Sequence, residues 1–133
     1  MLRNILIVDD DAVILKIMSD FLIKEGYDIF TAESGKDALR LTSFTDFQVI
    51  FIDLLMPKMT GYDLCKKIRE KHKDAWICAL TGLGSVFRNE ECMEAGFDAY
   101  YIKPFNIKVM LKDLLRNVFD KIDKKSNDVC DVG

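Results

Sequence analysis

Residues 49–57 read V-I-F-I-D-L-L-M-P: a run of apolar side chains interrupted by one carboxylate, Asp53. A short, nearly continuous apolar run is the mark of a strand buried on both faces, as in a parallel sheet covered by helices. A charge that closes such a strand stands at the end of the sheet rather than in its interior. Similar runs recur along the chain: I-L-I-V (5–8), D-I-F-T-A (28–32), Q-V-I-F-I (48–52), W-I-C-A-L (76–80) and A-Y-Y-I (99–102).

The segments between these runs carry helical periodicity. Asp11 to Glu25 places Ile14, Ile17, Phe21 and Leu22 on one face and stops at Gly26. Ser34 and Asp37 form a capping-box-like pair ahead of Ala38, Leu39 and Leu41. Thr60 and Asp63 repeat that spacing at the head of a helix to about Lys71, with Leu64 and Ile68 inward. A fourth helix is predicted over roughly 85–95, ending at Gly96. A fifth starts from Asn106 as its cap and runs through Ile107, Met110, Leu114, Val118 and Ile122. Strand and helix alternate five times, which predicts an α/β domain with a parallel sheet and helices on both faces.

The chain has 133 residues, enough for one domain with a sizeable core. Residues 1–123 are expected to form that domain, and the polar residues 124–133 a tail or the start of a linker. Half the residues are hydrophobic, nearly a third are charged, and the net charge is -3. This composition suits a cytoplasmic globular protein and lacks the basic footprint of nucleic-acid binding. No apolar stretch reaches the length of a membrane span. Cys65, Cys78, Cys92 and Cys130 lack the spacing of a zinc site and read as reduced thiols. The single histidine, His72, in E-K-H-K-D, is expected on a solvated helix end.

In an open parallel sheet, ligands bind beyond the carboxyl ends of the strands. Asp9, Asp10 and Asp11 follow the first run, Asp53 closes the third, Thr81 follows the fourth, and Lys103-Pro104 follows the fifth. Asp11 reads as a helix cap. The other carboxylates repel one another and call for a counter-charge, which a hard cation such as Mg²⁺ supplies through oxygen ligands. A cation, the Lys103 ammonium and the Thr81 hydroxyl around one carboxylate are the parts that bind a phosphoryl group. The carboxylate itself can act as nucleophile, giving an aspartyl phosphate.

I-L-I-V-D-D-D, F-I-D-L-L-M-P-K-M-T-G-Y, A-L-T-G and Y-Y-I-K-P-F stand in the order and spacing of two-component response-regulator receiver domains. The resemblance covers about residues 3–122. It implies a flavodoxin-like (βα)5 fold with strand order 2-1-3-4-5. It also implies that Asp53 is the phosphoacceptor, taking a phosphoryl group from a sensor histidine kinase or histidine phosphotransfer protein. Mg²⁺ would be held by Asp10, Asp53 and the backbone carbonyl of Leu55, with Asp9 acting largely through water. Thr81 and Lys103 would hold phosphoryl oxygens, and the Lys103–Pro104 peptide bond would be cis. Tyr100 occupies the aromatic switch position, so that its ring and Thr81 together remodel the face of helix four, strand five and helix five. That face would meet a downstream protein target or an effector domain; the chain itself would be a signalling protein, not an enzyme.

Three positions depart from the family's habit. Leu55 and Leu83 are apolar where flanking side chains influence how water reaches the phosphoryl group, which predicts slow hydrolysis. Gly82 replaces the more usual alanine. A haloacid-dehalogenase-type phosphatase would want an acid at position 55, and a flavin carrier would not tolerate D-D-D-A as its phosphate loop. The remaining alternative is a receiver-like interaction module that works without phosphorylation.

Overall fold

The computed structural model describes residues 3–82, 89–102, 108, 111–112 and 115–121. Five strands, β1 (Asn4–Val8), β2 (Asp28–Ala32), β3 (Val49–Asp53), β4 (Trp76–Thr81) and β5 (Ala99–Ile102), form one sheet. Its order is β2-β1-β3-β4-β5, and every pairing is parallel. Between them lie α1 (Ala12–Lys24), α2 (Gly35–Thr42), α3 (Gly61–Lys71) and α4 (Asn89–Ala95). A fifth helix, α5, includes residues 115–121. The architecture is the flavodoxin-like doubly wound one, with the strand order expected.

Alternation along the strands divides the core in two. Leu6, Val8, Ile50 and Ile52 pack with Leu64, Cys65 and Ile68 of α3 and Cys92 of α4. Ile5, Ile7, Val49 and Phe51 pack on the opposite face with Leu15, Met18 and Leu22 of α1 and Leu115 and Phe119 of α5. All five residues of β3 are buried, which is why its sequence shows no polar alternation. Each of its large side chains contributes about 1.5–3 kcal/mol through burial.

The helices start where the sequence offers acceptors. The side chains of Asp11, Ser34 and Thr60 accept the backbone N–H of Val13, Asp37 and Asp63. Gly26 and Gly96 follow α1 and α4 at positive φ, 95° and 103°, as helix-stopping glycines do.

One expectation needs correction and another needs refinement. The buried face of α1 is Leu15, Met18 and Leu22; Ile14 and Phe21 flank it, and Ile17 is 47% exposed. The helix carries apolar residues nearly all round, so more than one stripe fits its period. Glu70, Lys71, Lys73 and Asp74 are exposed, so the E-K-H-K-D run is the solvated helix end expected, but His72 itself is half-buried. It caps α3, and its Nε2 donates to the Thr42 carbonyl at 2.8 Å, with Nδ1 3.7 Å from Asp46. The Leu64 and Ile68 face of α3 is buried as expected. Of the residues expected along the fifth helix, Val118 is buried; Asn106, Ile107, Met110, Leu114 and Ile122 lie outside the described residues, as does the start of the fourth.

Candidate functional site

Strand register brings the acids together. Val8 of β1 stands beside Ile52 of β3, so the next residue of each chain, Asp9 and Asp53, meet at the carboxyl edge. On the other side Asp53 stands beside Leu80, one residue before Thr81. The ladder continues past the strands: Asp9 N–H donates to the Ala32 carbonyl at 3.1 Å, and Leu54 N–H to the Leu80 carbonyl at 3.0 Å. The backbone that carries the two acids is therefore as fixed as the sheet.

Carboxylate oxygens of Asp9, Asp10 and Asp53 lie within 4.8 Å of one another. Asp9, Asp53 and Thr81 are buried and Asp10 is exposed. Backbone amides orient the two buried acids. Asp9 Oδ1 accepts from Asp11 N–H at 2.9 Å, at the head of α1, and Asp53 Oδ1 accepts from Leu55 N–H at 3.2 Å. Two ionised carboxylates at this spacing repel by about 3 kcal/mol at an effective dielectric near 20. Three oxygen donors, with no nitrogen or sulfur ligand in the group, form a donor set that suits Mg²⁺.

The loop after Asp53 is held by close packing. Gly61 begins α3 with its N–H on the Leu54 carbonyl at 2.9 Å. A Cβ at Gly61 would come within 2.5 Å of the Asp53 carbonyl oxygen and 2.7 Å of Leu54 Cα. Lys58 takes a positive φ of 70° in the same loop, and a Cβ at Gly35 of α2 would meet Met59 Sδ at 2.6 Å. Lys58, Met59 and Gly61 fall within the F-I-D-L-L-M-P-K-M-T-G-Y motif, but side-chain pattern gives no sign of this close packing. The one available signal was a glycine at the first position of a helix, where glycine carries a propensity cost.

Leu55 is 52% exposed beside the acids. Tyr100 stands on β5 beside Ala79, two residues before the Thr81–Ile102 pair, and is partly exposed. Lys103, Pro104 and Leu83 lie outside the described residues, so the structure brings together Asp9, Asp10, Asp53 and Thr81 of the expected set.

Burial pushes three thiols upward: Cys92 to about 11, Cys65 to about 12, and Cys78 further still. All three are unpaired and protonated at neutral pH, which excludes them as nucleophiles here. No helix among the described residues is long and apolar enough to cross a membrane.

Known proteins resemble the chain in sequence and in fold. The chain is 40% identical over 122 residues to the probable transcriptional regulator ycf27 of Guillardia theta, covering 92% of this chain and 47% of that protein. It spans about half the length of the curated relatives it matches. The chemotaxis response regulator CheY4 of Vibrio cholerae superposes with a TM-score of 0.79 at 34% identity, covering 87% of this chain and 98% of that one. TrrA of Thermotoga maritima, a response regulator solved in complex with Mg²⁺-BeF, superposes with a TM-score of 0.78 at 32% identity, covering 88% and 99%. The response regulator receiver domain profile matches residues 5–115, so the chain belongs to the receiver-domain family of two-component signalling.

Proposed function

We propose that this receiver domain is a phosphorylated switch in which Asp53 accepts a phosphoryl group from the phosphohistidine of a sensor kinase or phosphotransfer protein. The observation that carries this reading is the Asp9–Asp10–Asp53 cluster at the carboxyl edge of a rigid parallel sheet. The chemistry is a displacement at phosphorus. An Asp53 carboxylate oxygen forms the new P–O bond, the P–N bond to the donor imidazole breaks, and that nitrogen keeps the electron pair and takes a proton.

Asp10, Asp53 and the Leu55 carbonyl would hold Mg²⁺, with Asp9 acting mainly through water. Bound there, the ion neutralises charge on the acids and on the incoming phosphoryl oxygens. The protein's own contribution is position. The Leu55 N–H holds one Asp53 oxygen, and the β3 backbone admits little displacement. Thr81 and Lys103 would hold phosphoryl oxygens, and Tyr100 would turn as Thr81 moves, changing the α4–β5–α5 face for a target or effector domain. Residues 1–123 would form the receiver and 124–133 a tail or linker. A cytoplasmic location and a role in signalling rather than enzymology accord with this reading.

Exposed Leu55 offers an attacking water no polar partner, and Leu83 would add a second apolar group. The phosphorylated form should therefore hydrolyse slowly.

Incubation with Mg²⁺ and a small phosphodonor, followed by intact mass, tests the proposal. One added phosphate in the wild type and none in Asp53→Asn is expected. No addition with any donor or candidate kinase would favour the module that works without phosphorylation.

A further inference from the structure

The loop between Asp53 and α3 contains a strained turn that delivers one side chain to α2. Lys58 takes a φ of 70°, in the left-handed region that glycine favours, and the Met59 N–H donates to the Pro57 carbonyl at 2.8 Å. Strain of this kind persists only where surrounding contacts hold it in place. Here the contact belongs to the next residue. Met59 is half-buried and packs on the core that α3 shares with the sheet. Its seat is Gly35, the buried first residue of α2. A Cβ at Gly35 would stand 2.6 Å from Met59 Sδ, 3.1 Å from its Cβ and 3.2 Å from its Cγ. The methionine therefore lies along the space that a side chain at position 35 would fill.

Both partners connect to the acids. Leu55, whose carbonyl the reading above gives to Mg²⁺, belongs to the same loop as Met59. Among the described residues, residues 55–59 hydrogen-bond only to near neighbours, Leu55 N–H to Asp53 and Met59 N–H to Pro57. Packing holds this loop to the rest of the fold, through Met56 in the core and Met59 on Gly35. On the other side, Gly35 follows the end of β2, where the Ala32 carbonyl accepts the Asp9 N–H at 3.1 Å. Ser34 caps α2 by accepting the Asp37 N–H at 3.1 Å, so the seat is itself fixed. The Met59–Gly35 contact thus joins the loop of Leu55 to the strand end that holds Asp9.

We infer that Met59 and Gly35 are a positioning pair for the cation site: Met59 seated on glycine fixes where Leu55 stands relative to the acids, and so sets Mg²⁺ affinity without touching the ion. This deepens the reading above and rests on it. The glycine is needed because any side chain there would push Met59, and the loop with it, away from α2.

The test measures Mg²⁺ affinity by following the backbone amides of Asp10, Asp53 and Leu55 through a Mg²⁺ titration. Gly35→Ala should weaken binding by about tenfold, the lower end of what outer support of a metal ligand contributes. Met59→Ala, which only removes atoms, should weaken it similarly and decides the matter if Gly35→Ala does not fold. Met59→Leu, close to it in volume, should stay near wild type. In the double variant the new Cβ enters space that Met59 has left, so its loss should be smaller than the product of the single losses. Hydrogen exchange at Leu55 and Met59 should quicken in the metal-free single variants, and excess Mg²⁺ should restore their phosphorylation rate. Unchanged Mg²⁺ affinity in folded Gly35→Ala and Met59→Ala overturns the pairing, as does a phosphorylation defect that no amount of Mg²⁺ corrects. A wild type whose three amides do not respond to Mg²⁺ overturns the cation-site reading itself, and the role of the pair with it.

Discussion

At the carboxyl edge of the sheet, Asp9, Asp10 and Asp53 crowd three like charges within 4.8 Å. At the amino edge, opposite charges meet: Arg69 and Asp98 stand 3.0 Å apart and divide their remaining bonds among backbone groups. Arg3 lies there too, its guanidinium carbon 5.2 Å from the Phe119 ring centre and 5.9 Å from that of Tyr27, which stack on each other at 5.3 Å. The amino edge spends its charges on holding segments together. The carboxyl edge places charges where they repel, with Asp9 and Leu54 tied by backbone hydrogen bonds to the neighbouring strands. Structural cohesion explains the first arrangement, and the second makes sense as a place to receive a cation and a phosphoryl group.

The interior that both edges share gives the largest expected effect. Cys65, Cys78 and Cys92 hold their protons more tightly folded than unfolded, because burial raises each above its ordinary 9.0. Their stabilisation is full below pH 9 and is lost as pH rises, through about 11 for Cys92 and about 12 for Cys65. The loss approaches about 1.4 kcal/mol per pH unit for each thiol. Urea titrations from pH 8 to 10.5 should show this fall, shallower in Cys65→Ala; equal slopes would remove the thiols as its cause.

Gly61→Ala strains the carboxyl edge alone. Its Cβ would meet the Asp53 carbonyl at 2.5 Å, and the strain should cost about 1–3 kcal/mol in urea denaturation. The same variant should take up phosphate more slowly, since the clash falls on the acceptor's own backbone. Stability lost with an unchanged phosphorylation rate would show that the edge tolerates displacement. The smallest effect concerns duration. Leu83→Glu should speed dephosphorylation, whereas a wild type that already decays quickly would end the claim of slow hydrolysis.

Much of the fold was legible because buried parallel strands write themselves as apolar runs. D-I-F-T-A and A-Y-Y-I coincide with β2 and β5, and Asp53 and Thr81 are the last residues of β3 and β4. The acids were legible because strand ends are the one place where charges follow such runs. The inward face of α1 was not: Val13, Ile14, Ile17 and Ile23 crowd its surface and offer a second apolar stripe. His72 and Arg69 were hidden for another reason. Their partners, Thr42, Gly96 and Asp98, lie 27–30 residues away and are mostly backbone groups, which leave no trace in side-chain pattern. Gly61 lies between Thr60 and Asp63, which mark the helix start, and only its distance to Asp53 shows what its missing side chain makes room for.

Borohydride reduces an aspartyl phosphate to homoserine, so it marks the acceptor residue covalently. The most direct test treats the chain with a small phosphodonor and Mg²⁺, reduces it, and maps the product by peptide mass spectrometry. Homoserine at position 53, absent when Mg²⁺ is chelated, is the predicted result. Conversion at another carboxylate, or none while the protein remains folded, would contradict the assignment of Asp53 as the phosphoacceptor.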